Sequence, residues 1–405
     1  HIAVILMGSC LSVFPAIMAD STANTNQQWS DWADQIRAAA ADGQRIRVRG
    51  SGTKDFLGDT AQGDHILSTT AWRGVEAYEP SELYVRARAG TPLAEVESLL
   101  ASKGQYLAFE PPRYGWASYD GATMGGVVAA GLSGPGRVSR GALRDHVLGC
   151  TVMNGRGEVL RFGGSVMKNV AGFDLSRLMA GSMGTLGVIL DVTLKVMPQP
   201  ISTATLRIEM NEADALAQVN QWAAQPMPLD ASAWWDGMLV LRLRGARSAV
   251  TSSVQRMYKE RGGELIAPPV AEGFWQGLRD QSDEFFTRAR AAVAAGGAHG
   301  VTLWRFSVPS TAQPFGLPGE QLTEWFGSQR WVCTALAAET VHDVAALAHG
   351  HAQAFVSTQV QPMADAAQWS SVQRRLHERV QHAFDPDGVF QTGRKWSTEP
   401  SAAVA

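Results

Sequence analysis

Cysteine is scarce in this chain: Cys10, Cys150 and Cys333 are the three in 405 residues, and no C-x-x-C or C-x-x-H spacing links them. That argues against a disulfide framework, a structural zinc site or an iron–sulfur cluster, so no metal is expected and a reducing, cytoplasmic setting is. An excess of one charge is also lacking, with 35 Lys+Arg against 38 Asp+Glu and a formal net charge of −3. Such a chain has no global basic footprint with which to neutralise phosphates, which makes nucleic acid a poor first guess. Long hydrophobic runs are missing as well. The apolar opening HIAVILMGSCLSVFPAIMAD is broken by Gly8, Ser9 and Pro15, has no Lys/Arg-rich start, and falls short of an uninterrupted bilayer span of ~20 residues. We read it as upstream sequence carried into the frame, with a start at Met18 or Met7; a signal peptide is the alternative.

What is present is material for packed cores. Hydrophobic residues make up 45% and charged residues 18%, which excludes a disordered or coiled-coil chain. Since one core stops growing near ~250–300 residues, two domains are expected. Trp29, Trp32, Ala33 and Ile36 recur at helical spacing before Gly43, predicting an amphipathic helix over 27–42, and a strand 45–49 follows. Val85, Ala87 and Ala89 alternate with arginines as a half-buried strand would. Thr91 is expected to cap a helix that opens at Pro92 and carries Leu93, Val96, Leu99 and Leu100. From 201 onward, strand 205–209, helix 212–224, strands 231–235 and 238–244, helix 247–261 and strand 264–267 give a β-α-β-β-α-β order that resembles a ferredoxin-like unit. Strands near 301–308 and 330–338 and a helix at 366–383 extend it, while 291–297 and 314–319 read as loops.

Between 121 and 190 glycines are dense and apolar runs short, as where backbone must approach a ligand closely. Ahead of this stretch, Gly50-Ser51-Gly52-Thr53-Lys54 follows a strand. Successive backbone N–H groups in such a turn hold anions and Lys54 adds charge, although an ordinary glycine turn is spelled the same way. It is neither a P-loop nor the dinucleotide fingerprint, because the required spacing fails and Asp55 stands where a third glycine would be. Two further clusters follow: ATMGG, then SGPGR and RDHVLG; and KNVAGFDLSRLMAGSMGTLGVI over 168–189.

These words, in this order, resemble the vanillyl-alcohol-oxidase (p-cresol methylhydroxylase) family of FAD-binding domains, and within it the FAD-binding subunits of glycolate oxidases. The resemblance covers roughly 27–200, with Phe173 where the family has Tyr; a tail, FDPDGVFQTGR over 384–394, resembles the segment that returns to the flavin. It implies an α+β chain: a two-subdomain FAD-binding domain over 27–200, an α+β cap over 201–383, a returning tail over 384–405, and an extension or disordered segment over 1–26. It implies that Gly50, Ser51, Gly52, Thr53 and Lys54 hold the pyrophosphate, that Thr123, Gly125 and Gly126 line the cofactor with Ser133 and Gly134 close by, and that Val188 or Ile189 meets the adenine side. The family's tethering positions carry no His or Cys here, so non-covalent FAD is expected, with Cys150 a small buried residue.

The reaction implied is oxidation of glycolate, or another 2-hydroxy acid, to the keto acid. A carboxylate needs a cation and the hydroxyl proton needs a base. Arg394 in the tail is the first candidate cation, against a structural salt bridge, and Arg305 a weaker one. His349 and His351, expected on one strand face, are candidate bases, against ordinary surface histidines. They stand where full-length relatives carry a richer HxGDGNxH-like motif. That departure also admits an FAD-binding relay subunit without turnover, or a free-standing D-lactate-type dehydrogenase. With no cluster-ligating cysteines, the resemblance implies a second FAD-binding subunit and an iron–sulfur subunit as partners, and a place in the cytoplasm or peripheral at the inner face of the membrane. Trp234, Trp235, Trp275, Trp325 and Trp331 are expected mostly in the core of the cap, some on a surface for those partners.

Overall fold

The computed structural model describes residues 14–57, 63–117, 121–164, 174–296, 300–358 and 369–391, with side chains from residue 27. Helix α1 (Phe14–Asp42) stops where Gly43 turns left-handed at φ +64°. Strands β1 (Ile46–Arg49) and β2 (His65–Ser68) pair in parallel. An antiparallel five-stranded sheet then forms from β3 (Val75–Glu79), β4 (Tyr84–Arg88), β6 (Val147–Met153), β7 (Val159–Gly163) and β8 (Val188–Lys195), in the order β3-β4-β8-β6-β7; β5 is the short strand Gln105–Tyr106. Seven of the eight residues of β8 are buried because both sheet faces are covered. Its Ile189, Val192 and Leu194 pack with helices α2 (Leu93–Ala101) and α3 (Met124–Ala130). Val188 and Leu190 pack on the other side with Trp32, Ile36, Val389 and Phe390, so residues 384–391 close this first core. Short helices α4 (Arg137–Arg140) and α5 (Leu143–His146) complete the unit, with β9 (Met197–Pro198) at its end.

The remainder builds on an eight-stranded antiparallel sheet. Its strands are β10 (Ser202–Glu209), β11 (Leu229–Trp235), β12 (Met238–Gly245), β13 (Glu264–Leu265), β14 (Thr302–Ser307), β15 (Glu320–Glu324), β16 (Gln329–Thr334) and β17 (His351–Ser357), in the order β13-β10-β12-β11-β15-β16-β14-β17. Helices α6 (Glu212–Ala223) and α7 (Arg247–Arg261) complete the expected β-α-β-β-α-β order and cover one face. The other face packs against α8 (Pro268–Asp280), α9 (Glu284–Ala295) and, from the first domain, Leu57 and Tyr114. The segment 291–297, expected as a loop, is helical through Ala295: Ala289 and Val293 continue the buried stripe of Phe285 and Phe286. The strand expected over 330–338 ends at Thr334, and Ala338 already opens helix α10 (Ala338–Leu347). Thr91 does not cap α2; its hydroxyl is taken by Gly74, donating to the carbonyl at 3.1 Å and accepting from the N–H at 2.9 Å. Helix α11 (Ser371–Phe384) leads into the returning segment.

A charged cluster joins the two domains. Glu110 accepts from the Gly136 N–H at 2.8 Å and pairs with Arg242 at 2.7 Å and Arg244 at 2.9 Å. Asp230 pairs with Arg242 and Arg140, each at 2.6 Å. Burial alone would raise the Glu110 pKa, but Arg242 and Arg244 pull it down to about 2.

Candidate functional site

Two joined clefts form the candidate site. The first, enclosing about 660 Å³ of space open to solvent, runs between the 49–55 loop, the start of α3, and residues 183–189. Its walls are mostly backbone. Asp55 braces the loop by pairing with Arg47 and Arg49, each at 2.7 Å. Gly50 sits so close to α3 that a Cβ there would lie 2.3 Å from Thr123 Oγ1, and Gly52 takes φ +82°, which L side chains avoid. The Thr123 hydroxyl in turn accepts from the Gly126 N–H at 3.4 Å.

One cation enters this cleft from a buried position. Lys54 is 7% exposed, and among the described residues its Nζ hydrogen-bonds only the Thr53 hydroxyl, at 3.2 Å, while lying 5.7 Å from the centre of the Tyr114 ring. Burial lowers its pKa to about 8, partly offset by Asp280. A buried ammonium without an adjacent carboxylate, beside a glycine-built cradle, suits an anionic ligand that lies flat on backbone. No His, Cys or Tyr lines the described part of this cleft.

The second cleft, about 1330 Å³ of open space, lies between the domains and shares Ala130 and Met183 with the first. Its cap wall is a polar island on the sheet. Arg305 pairs across the ladder with Gln353, and Ser307 with His351 and Gln329. Arg305 donates to Gln353 Oε1 at 3.0 Å. His351 has its pKa lowered by burial and by the Arg305 charge, which favours the neutral imidazole. From the first domain come Leu132, Ser133 and Arg137, and from the β15–β16 turn Trp325. Behind the island Glu324, raised to about 7 by burial, accepts from Gln329 Nε2 and Trp331 Nε1.

Comparison with known proteins fits this geometry. Residues 26–163 match the FAD binding domain family. Over 364 residues, 90% of this chain and 96% of the relative, the sequence is 40% identical to the glycolate oxidase subunit GlcE of Escherichia coli (strain K12). The chain belongs to the glycolate oxidase subunit GlcE family. The glycolate oxidase subunit GlcD of Bacillus subtilis (strain 168) is 31% identical over 175 residues, 43% of this chain and 36% of that one. An alkyldihydroxyacetonephosphate synthase structure superposes at a TM-score of 0.58, covering 89% of this chain and 74% of that one at 12% identity, a likeness of fold. This GlcE-family chain is thus an FAD-binding oxidoreductase subunit.

Within this GlcE-family framework the expected residues separate. Gly50, Ser51, Gly52, Thr53, Lys54, Thr123, Gly125, Gly126 and Ile189 line the first cleft. Val188 points into the opposite core. Ser133 lines the second cleft, its Oγ accepting from the Leu143 N–H at 3.0 Å, and Gly134 is buried with its carbonyl turned to Trp325 Nε1 at 3.1 Å. His349 and His351 do not share a strand face: His349 takes φ +56° in the turn before β17, and His351 alone lines the cleft. Arg394 and Phe173 lie outside the described residues. Cys150 is buried on β6, its thiol pushed up to about 12 by burial. Trp275 and Trp331 are core residues; Trp234, Trp235 and Trp325 are half-buried. Arg137 and Gln353 escaped the sequence reading; for Arg137 the available signal was its place directly after the SGPG turn. Among the described residues no helix is long and apolar enough to cross a membrane, and no three His, Cys, Asp or Glu side chains group as a metal site.

Proposed function

We propose that this chain oxidises glycolate, or a 2-hydroxy acid of similar size, to the keto acid, at FAD bound non-covalently along the first cleft. The observation that carries the reading is the junction of the clefts at Ala130 and Met183, which opens the cofactor site onto a chamber with a cationic wall. Hydride acceptance is the chemistry that bound FAD supplies. The loop from Gly50 to Lys54, with Thr123, Gly125 and Gly126, holds the cofactor's phosphates and flanks. Arg305 offers a charge-assisted contact to a carboxylate. His351, kept neutral, accepts the hydroxyl proton on an imidazole nitrogen as the C–H bond breaks.

Electrons then leave through partner subunits, a second FAD-binding subunit and an iron–sulfur subunit, with the assembly in the cytoplasm or at the inner membrane face. GlcE and GlcD are each named as subunits of a glycolate oxidase, which supports a multi-subunit complex. The test is anaerobic mixing of the FAD-loaded chain with glycolate while following flavin absorbance. Bleaching by the chain alone is expected. If the flavin bleaches only after a sister subunit is added, this chain is a relay and the catalytic reading is wrong.

A further inference from the structure

We propose that Arg137, held in place by Trp325, is the first domain's ligand for the substrate carboxylate, facing Arg305 across the chamber. The proposal rests on the reading above that the chamber takes a 2-hydroxy acid, and it adds a second cation and a positioning residue.

Arg137 stands out among the arginines at the domain contact. Arg140, Arg242 and Arg244 each reach a carboxylate within 3 Å. The half-buried Arg137 guanidinium makes no hydrogen bond or ion pair with any described residue; it lies over the face of Trp325, whose ring centre is 4.6 Å from Cζ. A half-buried guanidinium normally finds an acceptor, because five N–H donors are costly to leave unmatched. Here the donors open into the cleft that Arg305 also lines. Burial first, then the Arg144 charge and, less strongly and after an opposing Asp145, the Arg305 charge disfavour the charged form of Arg137. A carboxylate between Arg137 and Arg305 offsets that repulsion and satisfies donors of Arg137.

Trp325 is delivered to this spot by an unusual piece of backbone. Trp325 and Phe326 take φ +52° and +58°, a left-handed conformation that bulky L-residues avoid, and Gly327 follows at +101°. The surroundings enforce it. The Phe326 N–H donates to Ser232 Oγ at 3.0 Å, and a Cβ at Gly327 would lie 2.6 Å from the Ser310 carbonyl oxygen. The turn swings the Trp325 indole out of the cap to donate to the Gly134 carbonyl at 3.1 Å, three residues ahead of the guanidinium it supports. A strained turn whose product is a ring under an unpaired arginine points to that arginine's placement as its use.

The experiment titrates the FAD-loaded full chain with oxamate, a carboxylate that the flavin cannot oxidise, following the flavin difference spectrum, and measures glycolate kinetics alongside. Arg137→Met is expected to weaken oxamate about tenfold or more and to leave FAD affinity within about twofold; Arg137→Lys recovers only part, since an ammonium lacks the planar fork. Trp325→Leu is expected to raise the glycolate KM about fivefold with kcat nearly unchanged, whereas Trp325→Phe, which keeps an aromatic face, stays near wild type. Should Arg137→Met misfold, Arg137→Lys carries the test. Unchanged oxamate affinity in folded Arg137 variants overturns the proposal while leaving the function intact, and so does a loss of FAD affinity in its place. A wild-type chain that neither binds oxamate nor is reduced by glycolate overturns both.

Discussion

The two clefts meet at Ala130 and Met183, yet they are made of different material. The first is backbone: glycines, N–H groups and one buried ammonium. The second is side chains, set on strands β14 and β17 of the cap and on the turn before α4. A long, flat, doubly charged cofactor is best met by backbone that can approach it without side-chain collision. A small acid offers little area, so orientation and charge must come from a few long polar groups. The first cleft therefore depends on local conformation, and the second on how two domains are held together.

The comparison breaks most severely at Glu110. Glu110→Ala leaves Asp230 as the one carboxylate among the described residues paired with Arg242 and Arg244 in the domain contact, and removing one member of a buried ion cluster costs about 3–5 kcal/mol. A clear drop in Tm is expected, together with loss of glycolate turnover, while FAD affinity of the still-folded chain changes little. Loss of FAD binding in step with turnover would show that the clefts are not separable. The same cluster sets an acid limit. With Glu110 held at about 2 against an ordinary 4.5, its contribution is complete above pH 4.5 and is lost as pH falls toward 2. The wild-type midpoint should fall across that window more steeply than that of Glu110→Gln.

Gly52→Val attacks the other side of the comparison. The position requires φ +82°, and a β-branched residue there costs roughly 2–3 kcal/mol if the loop is to keep its shape, which corresponds to a weakening of FAD binding by roughly 10²-fold. The cap should be indifferent, since Gly52 makes no part of its sheet. Equilibrium dialysis of FAD and the intrinsic fluorescence of the cap tryptophans separate the two effects; unaltered FAD affinity would move the phosphate site away from this loop.

The same contrast explains what could be read in advance. The glycines of 50–54 and 121–136 announce themselves because so few residues can take their places, and the first half of the cap was legible from alternating and helical apolar spacing. The second cleft was not. Arg305 meets Gln353, and Ser307 meets His351, only through a β14–β17 register joining residues 44 to 48 positions apart, and short-range spacing holds no trace of it. The expectation of His349 and His351 on one face failed for a local reason, the left-handed turn at His349 ahead of Gly350. Arg137 sits in the SGPGR word, but its meaning lies in what it fails to touch, which no spacing reports.

The smallest effect concerns Lys54, the buried charge of the backbone-built cleft, where Arg49 and Asp55 pair with each other. Burial holds the folded lysine at about 8, against 10.5 in the unfolded chain. Between those values the unfolded state binds more protons, so the stability of the FAD-free chain should rise with pH from about 8 to 10.5, and Lys54→Met should flatten that rise. FAD held as proposed works in the opposite sense: phosphates beside Lys54 would favour the ammonium, so the cofactor would select the protonated lysine. If only that form binds, FAD affinity should fall about tenfold between pH 7 and pH 9, since the protonated fraction falls by that factor around a pKa of 8. In Lys54→Met the affinity should be lower at pH 7 and level across the range, and in Lys54→Arg high and level, because a guanidinium does not titrate there. A wild-type affinity constant from pH 7 to 9 would mean that Lys54 never meets the cofactor's charge, and the first cleft would then be backbone alone.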